Sequence, residues 1–391
     1  MPSFARRVAS YTTTIFAEIN TLAQQHNAIN LGQGRPDFDG PAEVMEAAIA
    51  AMRDGRANQY APGYGVAPLR QAVADHARRF YGLNIDPERG VIITVGAAEG
   101  MFSSILGLVD PGDEVILIEP YFDTYLPAVE MAGGVPRFVP LRPPDWMFDE
   151  AEMRAAFNDK TRAIILNTPH NPTGRVFSRA ELSLIAELCQ KYDAIAISDE
   201  VYEHLVFGDH QHIPIATLDG MADRTVTVSS GAKSFSYTGW KVGWAMGHPD
   251  LITGTWRIHQ NILYAVNHPS QYGIAHALGL DNEYFAAFRR MYEGKRRLLD
   301  SILRESGFTI SEAQGAFFIM ADFSAFFDGD DMQFARWLIE HVGVACIPPA
   351  ESFFSSQHRY LGRKHVRFSF CKNDDVLLAA GERLVALRAK L

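Results

Sequence analysis

Short apolar runs rich in β-branched residues punctuate the first two-thirds of the chain, at residues 91–95, 115–119, 135–139, 163–166, 194–198, 225–229 and 243–246. Most are continuous rather than alternating, the pattern of strands covered on both faces. Between several of them the period becomes helical. In residues 180–192, Leu182, Ile185, Ala186 and Cys189 fall on one face. Strands alternating with helices predict a mainly parallel, seven-stranded sheet packed by helices, an α/β fold. Asp110-Pro111-Gly112-Asp113 and Ala132-Gly133-Gly134 supply turns. After about residue 270 the texture changes. Residues 284–305 read as one long charged helix carrying Arg289, Arg290, Lys295, Arg296 and Arg297, and short strands and helices follow. The pattern predicts an N-terminal arm over 1–40, a large domain over 41–280 and a smaller α/β domain over 281–391, joined by the arm.

Composition narrows the function classes. Hydrophobic residues make up 47% and charged residues 21%, an ordinary globular mix that excludes a disordered or coiled-coil chain. Lys and Arg total 36 against 46 Asp and Glu, a net charge of −10. Nucleic acid and anionic membranes need a basic face and are not expected partners. The stretch 91–109 is long enough to cross a membrane. Gly96, Gly100, Gly107, Thr94, Ser103, Ser104 and Glu99 dilute its apolarity, so it reads as strand, turn and helix. Cys189, Cys346 and Cys371 are an odd set without a C-x-x-C pair. Neither a disulfide framework nor a metal site is expected, and a reducing cytoplasm is. Arg6 and Arg7, with no acid before Glu18, loosely suggest a transit peptide. With no apolar signal core, a folded arm is the expectation.

Four segments carry candidate chemistry. Lys233 lies in Ser229-Ser230-Gly231-Ala232-Lys233-Ser234, a small-residue loop after a β-run. Small residues let a ligand approach the backbone, and a lysine of lowered pKa can join a carbonyl cofactor as a Schiff base. A lone lysine is more often a solvated charge. Asp199 ends the buried run Ile195-Ala196-Ile197-Ser198-Asp199, at the sheet edge where ligands bind. It is either a helix cap or a site carboxylate. Tyr202 shares its side if a helix begins there. Asn171 stands in Asn167-Thr168-Pro169-His170-Asn171-Pro172-Thr173-Gly174, a loop stiffened by two prolines. It is either a turn asparagine or a positioned amide. Thr94-Val95-Gly96-Ala97-Ala98-Glu99-Gly100 joins a strand to a helix whose free N–H groups can hold a phosphate. It matches neither the dinucleotide fingerprint nor the Gly-Lys-Ser/Thr phosphate loop.

In order along the chain these make one kit, a phosphate cradle, a rigid Asn, an Asp with a Tyr, and a Lys. Pyridoxal 5'-phosphate needs all four, because its ring accepts electrons while an acid keeps the pyridine nitrogen protonated.

At these residues the chain resembles the fold-type I, class I and II aminotransferases over essentially its whole length. The resemblance rests on Asn-Leu-Gly-Gln-Gly at 30–34, Asn-Pro-Thr-Gly at 171–174, Asp-Glu-Val-Tyr at 199–202, Ser-x-x-Lys at 230–233 and Gly-Trp-Lys-Val-Gly-Trp at 239–244. Residues 112–123 and His-Gln-Asn at 259–261 point to the kynurenine, glutamine–phenylpyruvate and methionine aminotransferase branch. The resemblance implies Lys233 as Schiff-base lysine and proton shuttle, Asp199 at the pyridine nitrogen, and Asn171 and Tyr202 at the phenolic oxygen. It implies Phe122 stacked on the ring, and Ala97, Ala98, Ser230 and Lys241 on the phosphate. Tyr60 would reach the phosphate of a second subunit, which makes the protein a homodimer with shared sites. Arg367, in His-Val-Arg-Phe-Ser-Phe, would clamp the substrate α-carboxylate bidentately, with the Gly34 backbone.

Three departures bear on the substrate. Lys241 replaces an arginine found in many relatives. Ala98 and Ala265 replace a tyrosine and a partner-subunit histidine of the mammalian kynurenine enzymes, which argues against kynurenine. Arg35 replaces a phenylalanine, and is either a solvated loop residue or a second cation for an acidic or polar side chain. Phe16, Phe122 and Tyr264 suggest an apolar lining. The expectation is a ping-pong aminotransferase that takes methionine, glutamine or aromatic donors and passes the amino group to a 2-oxo acid. The alternatives are a β-lyase acting on cysteine conjugates or cystathionine, an aminotransferase for an acidic donor, and a cofactor-free binding module.

Overall fold

The computed structural model describes residues 4–9, 11 and 13–389. A short first strand, β1 (Ile29–Asn30), precedes β2 (Val91–Val95), β3 (Glu114–Glu119), β4 (Val135–Pro140), β5 (Thr161–Asn167), β6 (Ile195–Asp199), β7 (Thr225–Ser230) and β8 (Val242–Gly247). The seven predicted runs are β2 to β8, and they form one sheet in the order β2-β8-β7-β6-β5-β3-β4. All neighbours are parallel except β8, which runs antiparallel to both β7 and β2. Two reversals restore the direction, so β2 points the same way as β7. The C-terminal ends of β2, β5, β6 and β7 therefore share an edge with the start of β8.

Both faces of this sheet are covered. Ile116, Ile118, Ile164, Leu166 and Ala196 belong to one apolar core, and Val115, Leu117, Ala163, Ile165, Ile195 and Ile197 to another. That double burial is why the runs are continuous. The 91–109 stretch divides into β2 and the Gly96–Leu108 helix. Among the described residues no helix is long and apolar enough to cross a membrane. The helix expected near 180–192 is Arg179–Lys191, started by a reciprocal Ser178–Glu181 capping box. The long charged helix is Asn282–Glu305, capped by Asp281. No helix begins at Asp199, because residues 201–204 form turns.

The C-terminal part contains β9 (Thr309–Ile310), β10 (Phe318–Asp322), β11 (Val344–Ala345) and β12 (His365–Ser369). Strand β10 lies between β12 and β9 in an antiparallel sheet that sets Arg367 opposite Met320. Strand β1 pairs in parallel with β11, and Ser369 N–H donates to Leu31 O at 2.6 Å. Residues 29–34 are thus strung along the C-terminal part before reaching the main sheet edge.

Candidate active site

A cavity of about 290 Å³ opens at the shared sheet edge. Strand β6 delivers Asp199 into it. Asp199 Oδ2 accepts from the Tyr125 hydroxyl at 2.7 Å, and Oδ1 from Val201 N–H at 3.3 Å. Burial pushes the carboxyl up to about 6, opposed by those hydrogen bonds and by Lys233. Strand β7 delivers Ser230, and the segment expected as a loop is one helical turn, Gly231–Ser234, that carries Lys233. Packing explains its small residues, since a Cβ on Gly231 would stand 2.6 Å from Ile274 Cδ1. Lys233 Nζ donates to Gly34 O at 3.1 Å and lies 5.3 Å from the Phe317 ring centre. Burial holds its pKa below the usual lysine value, which favours the nucleophilic free amine.

Strand β5 ends on Asn167, which fastens the neighbouring loop. Asn167 Nδ2 donates to Asp199 O at 2.9 Å, and Asn167 Oδ1 accepts from Asn171 N–H at 2.8 Å. Asn171 Oδ1 in turn accepts from Arg367 Nη1 at 2.7 Å. Arg367 Nη2 donates to Gly32 O at 2.7 Å. The arginine is 1% exposed, so it is not a surface residue. Its guanidinium carbon lies 4.1 Å from the Phe318 ring centre, 5.2 Å from Phe16 and 5.6 Å from Phe353. Burial lowers its pKa to about 10, which leaves it cationic at neutral pH.

Between β2 and its helix, Gly96 turns the chain at φ +69°. Ala97 and Ala98 then present the helix start to the cavity. Lys241, at φ 54°, precedes β8. A Cβ on Gly96 would stand 3.4 Å from Lys241 Nζ, and one on Gly243 2.6 Å from the Gly96 carbonyl carbon. Glycine at both positions brings an ammonium against a helix N-terminus, an arrangement suited to a phosphate.

The single chain thus gathers Phe16, Gly34, Ala97, Ala98, Phe122, Asn171, Asp199, Tyr202, Ser230, Lys233, Lys241 and Arg367 around one cavity. It does not bring Tyr60 or Tyr264 there. They are 83% and 62% exposed and stack edge-on at 5.5 Å outside the cavity. Arg35 is also exposed and outside, where its carbonyl accepts from Lys372 Nζ at 2.7 Å.

Residues 26–383 match the family of class I and II aminotransferases. The chain belongs to that family. It is 45% identical over 389 residues to the probable N-succinyldiaminopimelate aminotransferase DapC of Mycobacterium tuberculosis, covering 97% of this chain and 98% of that one. It is 40% identical over 404 residues to kynurenine–oxoglutarate transaminase 3 of Mus musculus, covering 97% and 89%. The structure of YbdL from Escherichia coli, described as having a methionine aminotransferase function, superposes with a TM-score of 0.93 at 37% identity, covering 98% of this chain and 100% of that one.

Aminotransferases of this family use pyridoxal 5'-phosphate. The residues at the sheet edge fit it. Asp199 is a buried acid suited to a protonated ring nitrogen, and Lys233 is a half-buried amine whose Nζ donates to a carbonyl oxygen. Thr124 Oγ1 and Arg367 Nε are buried without partners, polar atoms that a bound cofactor or substrate can satisfy. Sequence reasoning missed Tyr125, Asn167, Thr124, Thr238, Met101 and Phe318, all of which line the aminotransferase cavity. Asn167 carried a signal, as the polar end of an apolar run. Tyr125 carried none, since its partner Asp199 lies 74 residues away.

Proposed function

We propose that the enzyme transfers the amino group of a neutral L-amino acid, of the methionine, glutamine or aromatic type, to a 2-oxo acid in two half-reactions. One observation carries the reading. The cations lining the cavity are Lys233, Lys241 and Arg367; Lys241 stands by the phosphate cradle and Lys233 is taken by the cofactor, which leaves Arg367, boxed by aromatic rings, for the donor. One such grip suits one carboxylate, and the rings suit an uncharged side chain.

When bound, pyridoxal 5'-phosphate supplies a carbonyl carbon for the amine and a conjugated ring that takes up an electron pair. Ala97, Ala98, Ser230 and Lys241 would hold the phosphate, Phe122 would pack on the ring, and Asp199 would keep the ring nitrogen protonated. Tyr125 keeps Asp199 oriented. Asn171 and Tyr202 serve the phenolic oxygen. Arg367 and the Gly34 backbone would place the donor so that Lys233 Nζ can reach the α-proton and carry it.

Tyr60 serves the phosphate of a second copy, and Tyr264 completes that copy's substrate wall, so the working form is a homodimer. Mixing Lys233→Ala with Tyr60→Phe chains regenerates one intact site per hybrid if Tyr60 acts in trans; the test applies once Tyr60→Phe is shown to weaken cofactor binding. The chain works in the cytoplasm.

A second reading has one specific support, the 45% identity to the DapC protein. An N-succinyldiaminopimelate-type substrate carries further carboxylates, and Arg35 would need to turn inward or be supplied by the second copy. Relative kcat/KM for methionine, glutamine, phenylalanine, kynurenine, glutamate and N-succinyldiaminopimelate, each with several 2-oxo acids, decides. A strong lead for the last donor replaces the neutral reading.

A further inference from the structure

The two residues after Tyr202 belong to another cluster. Glu203 and His204 meet His76, which comes from the Ala67–Tyr81 helix 128 residues before His204. His76 Nε2 and His204 Nε2 stand 3.0 Å apart. Glu203 Oε2 lies 3.4 Å from the first and 4.0 Å from the second. The three side chains are 5%, 6% and 8% exposed, and the Phe80 and Phe285 rings close around both imidazoles.

Hydrogen bonding accounts for one edge of this triangle, the 3.0 Å contact between the two imidazole nitrogens, and leaves the two edges to Glu203. Good N–H···O bonds fall at about 2.7–3.2 Å, and both nitrogen–oxygen separations are longer. Glu203 Oε2 already accepts from the Tyr81 hydroxyl at 2.7 Å. The three separations bracket the ~3.4 Å between ligands of a tetrahedral ion with bonds of ~2.1 Å, so the atoms can share one central ion if the Glu203–His204 edge closes and the two imidazole nitrogens part. They enclose a point about 2.1 Å from each, the zinc–nitrogen distance.

We propose that His76, Glu203 and His204 form a site for one divalent transition-metal ion of the zinc class, with a fourth position for water. Two imidazoles and a carboxylate suit zinc, cobalt or nickel better than calcium or magnesium. The Tyr81 and Ser229 hydroxyls donate to the two Glu203 oxygens, at 2.7 and 2.9 Å, and fix the carboxylate. The ion ties the Ala67–Tyr81 helix to the turn after Tyr202, and through Ser229 to the strand ending at Ser230. Its role is structural, a strut beneath the cofactor rather than a participant in the reaction.

The test is metal content and cobalt spectroscopy on the holoenzyme. Dialysed wild-type protein should retain close to one zinc equivalent per chain. Cobalt added after chelation should give the visible band of a low-coordinate site, and chelation should lower Tm. His76→Gln and His204→Gln should lose the zinc and the cobalt band, while the cofactor's own absorbance and kcat/KM stay within about twofold. Wild type that takes up no cobalt overturns the proposal, as does uptake by His76→Gln equal to that of wild type. If a variant fails to fold, the wild-type cobalt spectrum and zinc content decide alone.

Discussion

The two ends of the active-site cavity are built by different means. The phosphate and ring end comes from one sheet edge, where hydrogen-bonded register sets each residue against its neighbour. Asn167 pairs with Asp199, Ser230 with Gly243, and Val95 with Val242. The carboxylate end is assembled from Phe16, Gly34, Phe318 and Arg367, where only β10 and β12 share a register and the arm residues join them through single backbone bonds and ring contacts. Backbone register leaves the first end little freedom. The second depends on how the arm and C-terminal strands pack, so it can change its donor while the first stays fixed. Substitutions at the first end should stop the reaction for every substrate, and those around the second should separate substrates.

The largest expected effect is at the sheet edge. Lys233→Ala should bind cofactor yet lose transamination by several orders of magnitude, since nucleophile and proton carrier go together. Borohydride should fix the cofactor to Lys233, and a label mapped to another lysine breaks the assignment. Asp199→Asn should slow α-proton removal and show a large primary deuterium effect. Near-normal turnover would remove Asp199 from the ring nitrogen.

Asp199 also carries a pH signature in cofactor-free protein. Its carboxyl is raised from 3.8 to about 6 by burial. The stability it contributes is complete below its unfolded value and disappears as pH rises through about 6. Cofactor-free Asp199→Asn should therefore unfold at higher denaturant than wild type above that pH, by up to ~3 kcal/mol, with the gap closing toward pH ~4. A gap that grows on acidification reverses the sign and defeats the argument.

Arg367→Ala tests the other end where it should act on all donors alike, because all carry an α-carboxylate. Losing a buried, charge-assisted grip should cost ~2–5 kcal/mol in kcat/KM for each of them. Selective loss for one donor would mean that Arg367 reads a side chain. Arg35→Phe is the smallest expected change, close to none and equal across glutamate, glutamine, methionine and phenylalanine, since Arg35 is exposed and outside the cavity. A selective fall for glutamate would bring it into the site.

The same contrast explains what was legible in the sequence. All seven sheet strands were readable, with ends displaced by no more than two residues; double burial writes a continuous apolar run in the inner strands, and the edge strand β4, half exposed, was marked by its β-branched residues. Asp199 was readable for a related reason, as a polar residue that ends such a run, and Asn171 and Lys233 as polar residues in the short segments that follow one. Arg367 was not distinguishable locally from a surface arginine, and only the family resemblance singled it out. Phe318 and Tyr125 owe their places to contacts between distant strands and helices, and short-range spacing holds no record of those. Tyr60 and Tyr264 sit on an exposed patch outside the cavity, and only the family resemblance singled out Tyr60.

The hydrogen bonds that hold Arg367 have a consequence for molecular length. Asn171 and Gly32 grip its guanidinium from two directions and three rings surround it, so it is the fixed end of a gauge whose other end is the Lys233 amine. A donor must span that interval with its carboxylate and its reacting nitrogen. α-Amino acids separate the two by a single carbon. β-Alanine and γ-aminobutyrate insert one and two more, and with the carboxylate on Arg367 would carry the reacting carbon away from the place an α-amino acid offers to Lys233.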